Sequence, residues 1–190
     1  MAEEYSFVSV PKASSNAGVP KGKKKYVVIF RWADVKTYKR DEKGVRVTEF
    51  AMQDGKKPVA VYATPSTLNI YHTSEGEDDA RGCIHHVDGE VPGSSVDFSE
   101  FIQNNLNEEL GAIVLHCAGD EAKVAGTPCT PLYIAKADSQ DNKDADKTTL
   151  NLTSSLRGPV IGVIAKSLVP ATENAEINAE LGLTVAAAGV

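Results

Sequence analysis

Cysteine is scarce in this 190-residue sequence, which contains three copies without any paired spacing. An odd, unpatterned set argues against a disulfide framework and favours synthesis in a reducing compartment. No apolar run approaches the roughly 18 residues of a membrane-spanning helix, and the start MAEEYSFVSV is acidic where a secretory signal would be basic. We therefore expect synthesis in the cytoplasm and no membrane insertion of this chain.

Aromatic residues and positive charge are also in short supply. With 6% aromatics and one tryptophan, Trp32, the chain has little to stack on a carbohydrate or small-molecule ligand. The net charge of −6 argues against a general nucleic-acid-binding surface, which needs a basic face. Both features disfavour the binding-module classes.

The charges that are present are unevenly distributed. Residues 73–109 hold ten acidic groups and one basic group, whereas a compact basic run lies near the N-terminus: Lys21, Lys23, Lys24 and Lys25. Unlike charges in separate parts of one chain can attract neighbouring subunits. The alternative is that both runs are simply solvated loops.

A recognisable catalytic or metal-binding motif is missing. The best candidate ligands are Cys83, His85 and His86, with His116 and Cys117 further on. No CxxC pair occurs, the first group lies in a predicted loop, and adjacent residues of a strand point to opposite faces. We therefore interpret the histidines as solvated loop residues and expect no metal site.

Other chemistry is equally unsupported. The carboxylate-rich stretches EGEDD and DNKDAD could bind Ca²⁺, but they read as solvated loops without the burial that acid–base work requires. GxSxG is absent, and GKKK lacks the spacing of a phosphate-binding loop. We expect no enzyme activity, no catalytic residue and no cofactor.

Hydrophobic patterning predicts a mainly β fold, a β-sandwich or partial barrel with one flanking α-helix and extended N- and C-terminal arms. The predicted boundaries are an N-terminal arm at 1–24, the sandwich domain at 25–168 and a C-terminal arm at 169–190. Predicted strands cover 25–32, 45–51, 58–63, 66–72, 112–118, 121–125, 131–136, 148–155 and 159–166. An acidic loop is expected over 73–97.

Two segments have the clearest patterns. TTLNLTSSLRGPVIGVIAK, residues 148–166, alternates and then turns at Arg157-Gly158-Pro159, which predicts a β-hairpin. VDFSEFIQNNLNEELG predicts the helix, with a capping-box-like pair, Asp97 and Glu100, at its start and Gly111 at its end.

The order of these elements resembles that of bacteriophage major tail tube proteins, which are related to the tube proteins of contractile injection systems. The resemblance is carried by DFSEFIQNNLNEELG leading into AIVLHCAGDEAKVAG, then by PLYIAKAD, a charged loop and TTLNLTSSLRGPVIGVI. It spans residues 25–168 and depends on architecture, without a diagnostic motif.

The resemblance implies a structural virion protein of the phage tail. Six-subunit rings would stack into a tube, each subunit adding strands to a continuous inner barrel through which DNA passes without specific binding. The implied partners are copies of the chain itself and other tail proteins. An acidic lumen suits this role, because it repels phosphates.

Two alternatives from other classes stay open. One is a different structural virion protein, a head-to-tail connector or minor capsid β-sandwich, which ring size and failure to polymerise would distinguish. The other is a ligand-binding β-sandwich module, which would remain a monomer.

Subunit contacts are expected in the two arms and the acidic loop, because a compact central domain leaves their apolar residues best buried against another copy. Disordered ends are the alternative. The expected contact residues are Phe7, Val8, Val10, Lys21, Lys23, Lys24, Lys25, Glu75, Glu77, Asp78, Asp79, Ile177, Leu181 and Leu183.

Overall fold

The computed structural model describes residues 7–15 and 17–183, and these residues form a mainly β fold, as the hydrophobic pattern predicted. Its strands are β1 (Lys23–Arg31), β2 (Val35–Arg40), β3 (Arg46–Met52), β4 (Val59–Tyr62), β5 (Asn69–Glu75), β6 (Gly82–Pro92), β7 (Leu110–His116), β8 (Glu121–Ala125), β9 (Leu132–Asp141), β10 (Asp146–Ser154) and β11 (Gly162–Ala165). Its helices are α1 (Val96–Asn105) and α2 (Ala175–Leu181), with 3-10 turns at Trp32–Asp34 and Lys166–Leu168. No helix within the described ranges has the length and apolar character to cross a membrane.

The strands divide into two halves. One half has the order β2-β3-β11-β8-β7-β1-β4, in which all neighbours are antiparallel except β3 and β11. The other half is β9-β10-β6-β5, entirely antiparallel. The halves join where Leu110 of β7 pairs with Leu132 of β9.

Two hydrophobic cores lie on opposite faces of β1 and β7. Val27 and Val114 face the first core, which the four-stranded half and α1 complete with Val87, Leu152 and Phe98. The next residues along β1 and β7 face the second core, because successive side chains of a strand alternate. That core holds Val28, Phe30, Trp32, Val47, Phe50, Ile113, Leu115, Ala122, Val124, Ile164, Val169, Leu181 and Leu183.

Helix α1 begins at a cap that the sequence interpretation misplaced. The Ser95 side chain accepts a hydrogen bond from the Phe98 N–H, so Ser95 is the N-cap rather than Asp97. The helix ends at Asn105 instead of continuing to Gly111. Gly111 lies inside β7, where the Phe30 ring occupies the space that a side chain would need.

The predicted hairpin over 148–166 is wrong in its pairing. Both halves of it are strands, and Thr148, Leu150, Leu152 and Ser154 are buried as the alternation predicted. However, β10 pairs with β6 and β9, whereas β11 pairs with β8 and β3. The seven residues between them cross from one half of the fold to the other.

The predicted acidic loop over 73–97 is also wrong for most of its length. β5 continues to Glu75, and β6 is an 11-residue strand, so only residues 76–81 connect them. Charged residues of β6 alternate with buried ones and point away from the core, which a solvent-facing strand tolerates. The strand β2 was not predicted at all.

The predicted C-terminal arm packs against the second core where it is described, and it contains the helix α2. Asn174 caps α2 by accepting from the N–H groups of Glu176 and Ile177, and Gly182 ends it in the left-handed conformation at φ 68°. At the other end of the chain, residues 7–15 and 17–22 are exposed and lack strands or helices, and β1 begins at Lys23. The remaining parts of both predicted arms, residues 1–6, 16 and 184–190, lie outside the described residues.

Candidate assembly surface

The candidate metal ligands do not form a site. Cys83, His85 and His86 are all on β6 rather than in a loop, and in a strand the side chains of His85 and His86 point to opposite faces. No group of three or more His, Cys, Asp or Glu residues suited to a metal ion occurs in residues 7–15 and 17–183.

His85 is buried and fully hydrogen-bonded, which corrects its interpretation as a solvated loop residue. Its Nδ1 accepts from the Gly126 N–H at 2.9 Å, and its Nε2 lies 2.7 Å from the Pro159 carbonyl oxygen. The ring is therefore the neutral Nε2–H tautomer. Burial lowers the pKa of His85, against the raising effect of the Pro159 hydrogen bond, and the nearby Arg40 charge lowers the pKa further. We assign His85 a structural role that joins three segments.

The four-stranded half has one face in the first core and one polar face toward solvent. On the outer face, the rings of Tyr71 and His86 stack at a centroid distance of 4.8 Å, and His86 Nδ1 lies 3.3 Å from the Thr153 hydroxyl. In the next row, Asn151 donates to Asp88 at 2.6 Å. These contacts join β5, β6 and β10 across the face.

Charge on this outer face is mixed with an acidic excess. Lys147 pairs with Glu90 at 2.6 Å, and Lys136 pairs with Asp138 at 2.8 Å. Strand alternation also brings Asp88 and Glu75 to the same face, and neither carboxylate has an ion-pair partner among the described residues. The face therefore carries four carboxylates and two lysines, an excess of two negative charges for each copy of the chain.

Both outer strands of this half have an unpaired edge. β5 pairs with β6 alone, and β9 pairs with β10 along its length but with β7 only at Leu132. Within the described residues, no other strand pairs along the second edge of either. An open edge presents a row of free N–H and C=O groups, which another chain can extend.

The hairpin of β9 and β10 projects beyond the core. Its residues from Asp138 to Asp144 are all exposed. Its tip is a defined turn, in which the Asn142 side chain accepts from the N–H groups of Asp144 and Ala145. A side chain that bonds its own following backbone stabilises such a turn locally.

The expected contact residues separate into three groups. The apolar arm residues Phe7, Val8 and Val10 are fully exposed or nearly so. The acidic residues lie at one end of the four-stranded half, with Glu75 on β5 and Glu77, Asp78 and Asp79 in the adjoining turn, all exposed. These two groups are accessible to another copy.

The third group comprises the C-terminal apolar residues and the basic run, and most of it contacts its own chain. Leu181 and Leu183 are buried in the second core, so their assignment as subunit contacts is wrong, whereas Ile177 is only partly buried against that core and its assignment stays a prediction. Lys25 pairs with Glu180 at 3.0 Å, and Lys24 donates to the Glu180 carbonyl. Lys23, Lys24 and Lys25 belong to β1, and Lys21 is the member of the basic run that remains in the arm.

The sequence did not predict the two free edges, one on β5 and one on β9. They depend on which strands are neighbours, and a single sequence gives no direct signal for pairing between distant strands. No family model, no curated protein and no solved structure matches the chain. The functional argument therefore depends on the residues and geometry described above.

Proposed function

We propose that this chain is a structural virion protein that assembles into stacked rings and forms a phage tail tube, a conduit for DNA. The observation that supports this most directly is the four-stranded half, which has one buried face, one polar face and two unpaired edges. Pairing of β5 in one copy with β9 in the next would extend the sheet from subunit to subunit. A closed ring of such sheets removes every one of these edges.

The dimensions fit the proposal. Six copies would supply 24 strands, and at about 4.8 Å between strands the barrel would be about 37 Å across before strand tilt widens it. Side chains on the inner surface shorten this opening, which still admits a DNA duplex. The polar outer face of each four-stranded half would then line the lumen.

The electrostatics of that face suit transport better than binding. Its excess of two negative charges per copy, on residues including Asp88 and Glu75, would repel phosphates rather than release counterions from them. Its lysines, Lys136 and Lys147, are already paired with carboxylates. DNA would therefore slide along the lumen without being held.

Hydrogen exchange of dilute and concentrated protein tests this proposal together with negative-stain microscopy. We expect rings or tubes at high concentration, and amides on the free edges of β5 and β9 should gain protection as these form. The matched control is β2, an edge strand of the other half, whose exchange should change little. Persistent monomers would contradict the assembly function, and tubes without protection of β5 and β9 would contradict this mode of ring closure.

A further inference from the structure

A groove of about 620 Å³ lies beside β4, one of the two edge strands of the seven-stranded half. Its floor is apolar, with Val61, Val91, Phe98 and Phe101 contributed by three elements. All four residues of β4 line it, and among the described residues β4 pairs with β1 only. The groove therefore combines an apolar floor with an unpaired strand edge.

The rim of the groove is acidic. Asp97 in the first turn of α1 and Glu173 before α2 both line it. Neither carboxylate has an ion-pair partner among the described residues. A complementary segment would be short, extended and apolar, with a basic residue at one end.

Residues 7–12 of the N-terminal arm, FVSVPK, have that character. Phe7, Val8 and Val10 are all strongly exposed. These side chains thus stay exposed among the described residues, and three exposed apolar groups within four positions form a candidate contact segment. Pro11 lacks an N–H and so ends any added strand at Val10.

We propose that residues 7–10 of one copy dock in the groove of a second copy and pair with the free edge of β4, with Lys12 next to Asp97 and Glu173. This inference rests on the proposed assembly function, and it gives the N-terminal arm a binding site on the neighbouring copy. Val8 and Val10 lie on the same face of an extended segment and reach the apolar floor. Backbone hydrogen bonds supply affinity, and the side chains set the register.

The occupant is a second copy rather than the arm of the same chain. β1 starts at Lys23, and its residue Lys25 accepts from the Ala63 N–H just beyond β4. The arm therefore leaves the fold beside the groove it would have to enter, yet its apolar residues stay in solvent.

The first test compares the wild type with Val8→Glu/Val10→Glu by sedimentation velocity over a range of concentrations. Carboxylates at these positions would face an apolar floor and an acidic rim, which disfavours docking. The concentration for half-maximal assembly should therefore rise at least about tenfold, which is the change in dissociation constant that corresponds to burying one valine side chain. Val19→Glu is the matched control, because Val19 is an exposed valine of the same arm outside the segment. It should assemble like the wild type.

The second test places a photo-crosslinking phenylalanine analogue at position 7 in ¹⁵N-labelled protein and mixes it with unlabelled wild type. Crosslinks should join labelled residue 7 to unlabelled peptides that contain β4 or α1. Crosslinks only within one copy, or to other surfaces, would overturn the proposal.

The outcomes separate the two proposals. Wild type and Val8→Glu/Val10→Glu forming tubes equally well would overturn docking and leave the tube function standing. A wild type that remains monomeric at every concentration would overturn both.

Discussion

Replacing His85 by leucine should cost about 2–4 kcal/mol of unfolding free energy. The imidazole is 1% exposed and bonds two backbone groups, the Gly126 N–H and the Pro159 carbonyl. The buried Gly126 N–H left without a partner costs about 1–3 kcal/mol, and the lost bond to the more exposed Pro159 carbonyl costs about 0.5–1.5 kcal/mol. The greater apolar character of leucine offsets part of that loss.

The same substitution should change how stability depends on pH. Burial lowers the pKa of His85 in the folded chain, helped by the positive charge of Arg40 and opposed by the hydrogen bond to Pro159. In the unfolded chain the group titrates near 6.5. The contribution of neutral His85 to the unfolding free energy is therefore complete above pH 6.5. It is lost as the pH falls from 6.5 through the pKa of the folded state, because the unfolded chain binds the proton more readily there.

Urea unfolding at pH 7.5 and at lower pH values measures both effects. One such group changes the unfolding free energy by at most about 1.4 kcal/mol per pH unit. In the leucine variant, the plot of unfolding free energy against pH should lack this contribution to its slope. A residual slope is expected, because burial also lowers the pKa of His116.

His86→Leu is the control, since this neighbour lies on the opposite, solvent-facing side of β6 and should cost less than about 1 kcal/mol. Equal costs for the two variants, or parallel pH profiles for wild type and His85→Leu, would refute the structural role of His85.

Three further substitutions test the packing by urea unfolding. Gly111→Ala should lose about 1–3 kcal/mol, because the new methyl group overlaps the Phe30 ring, and adding Phe30→Leu should recover part of it; equal loss in the double variant would contradict that cause. Leu181→Ala should lose about 2–5 kcal/mol as a fully buried residue, and an unchanged midpoint would contradict the docking of α2. Ser95→Ala should lose about 1 kcal/mol with the cap to the Phe98 N–H, whereas an unchanged stability would remove Ser95 from that role.

Local patterns predicted the fold class and most strands. The sequence also contained signals for β6 and α2 that the prediction did not use. In β6, the buried residues His85, Val87, Gly89 and Val91 alternate with polar ones, so the period of a strand was present. The density of acidic residues led instead to a predicted loop. Helix α2 likewise had readable signals, an Asn174 cap and a Gly182 stop, around a segment too short to show helical periodicity.

Pairing could not be predicted in the same way. Leu150 and Ile164 both lie on buried strands close in sequence, and a turn-forming Gly-Pro stands between them, so a hairpin was the local expectation. They do not pair with each other: Leu150 lies between Gly89 and Ala137, and Ile164 lies between Ala122 and Val47. The free edges of the candidate assembly surface follow from these distant pairings and therefore emerged only with the structure.

The position of β1 and β7 between two cores has a consequence for folding. Val27 and Val114 contribute to one core while Val28 and Ile113 contribute to the other. Unfolding of β1 and β7 therefore disrupts both cores together. Denaturant should accordingly melt both in a single cooperative transition. A fragment that contains only the four-stranded half would lack the strands that cover its apolar face, and it should not fold when expressed alone.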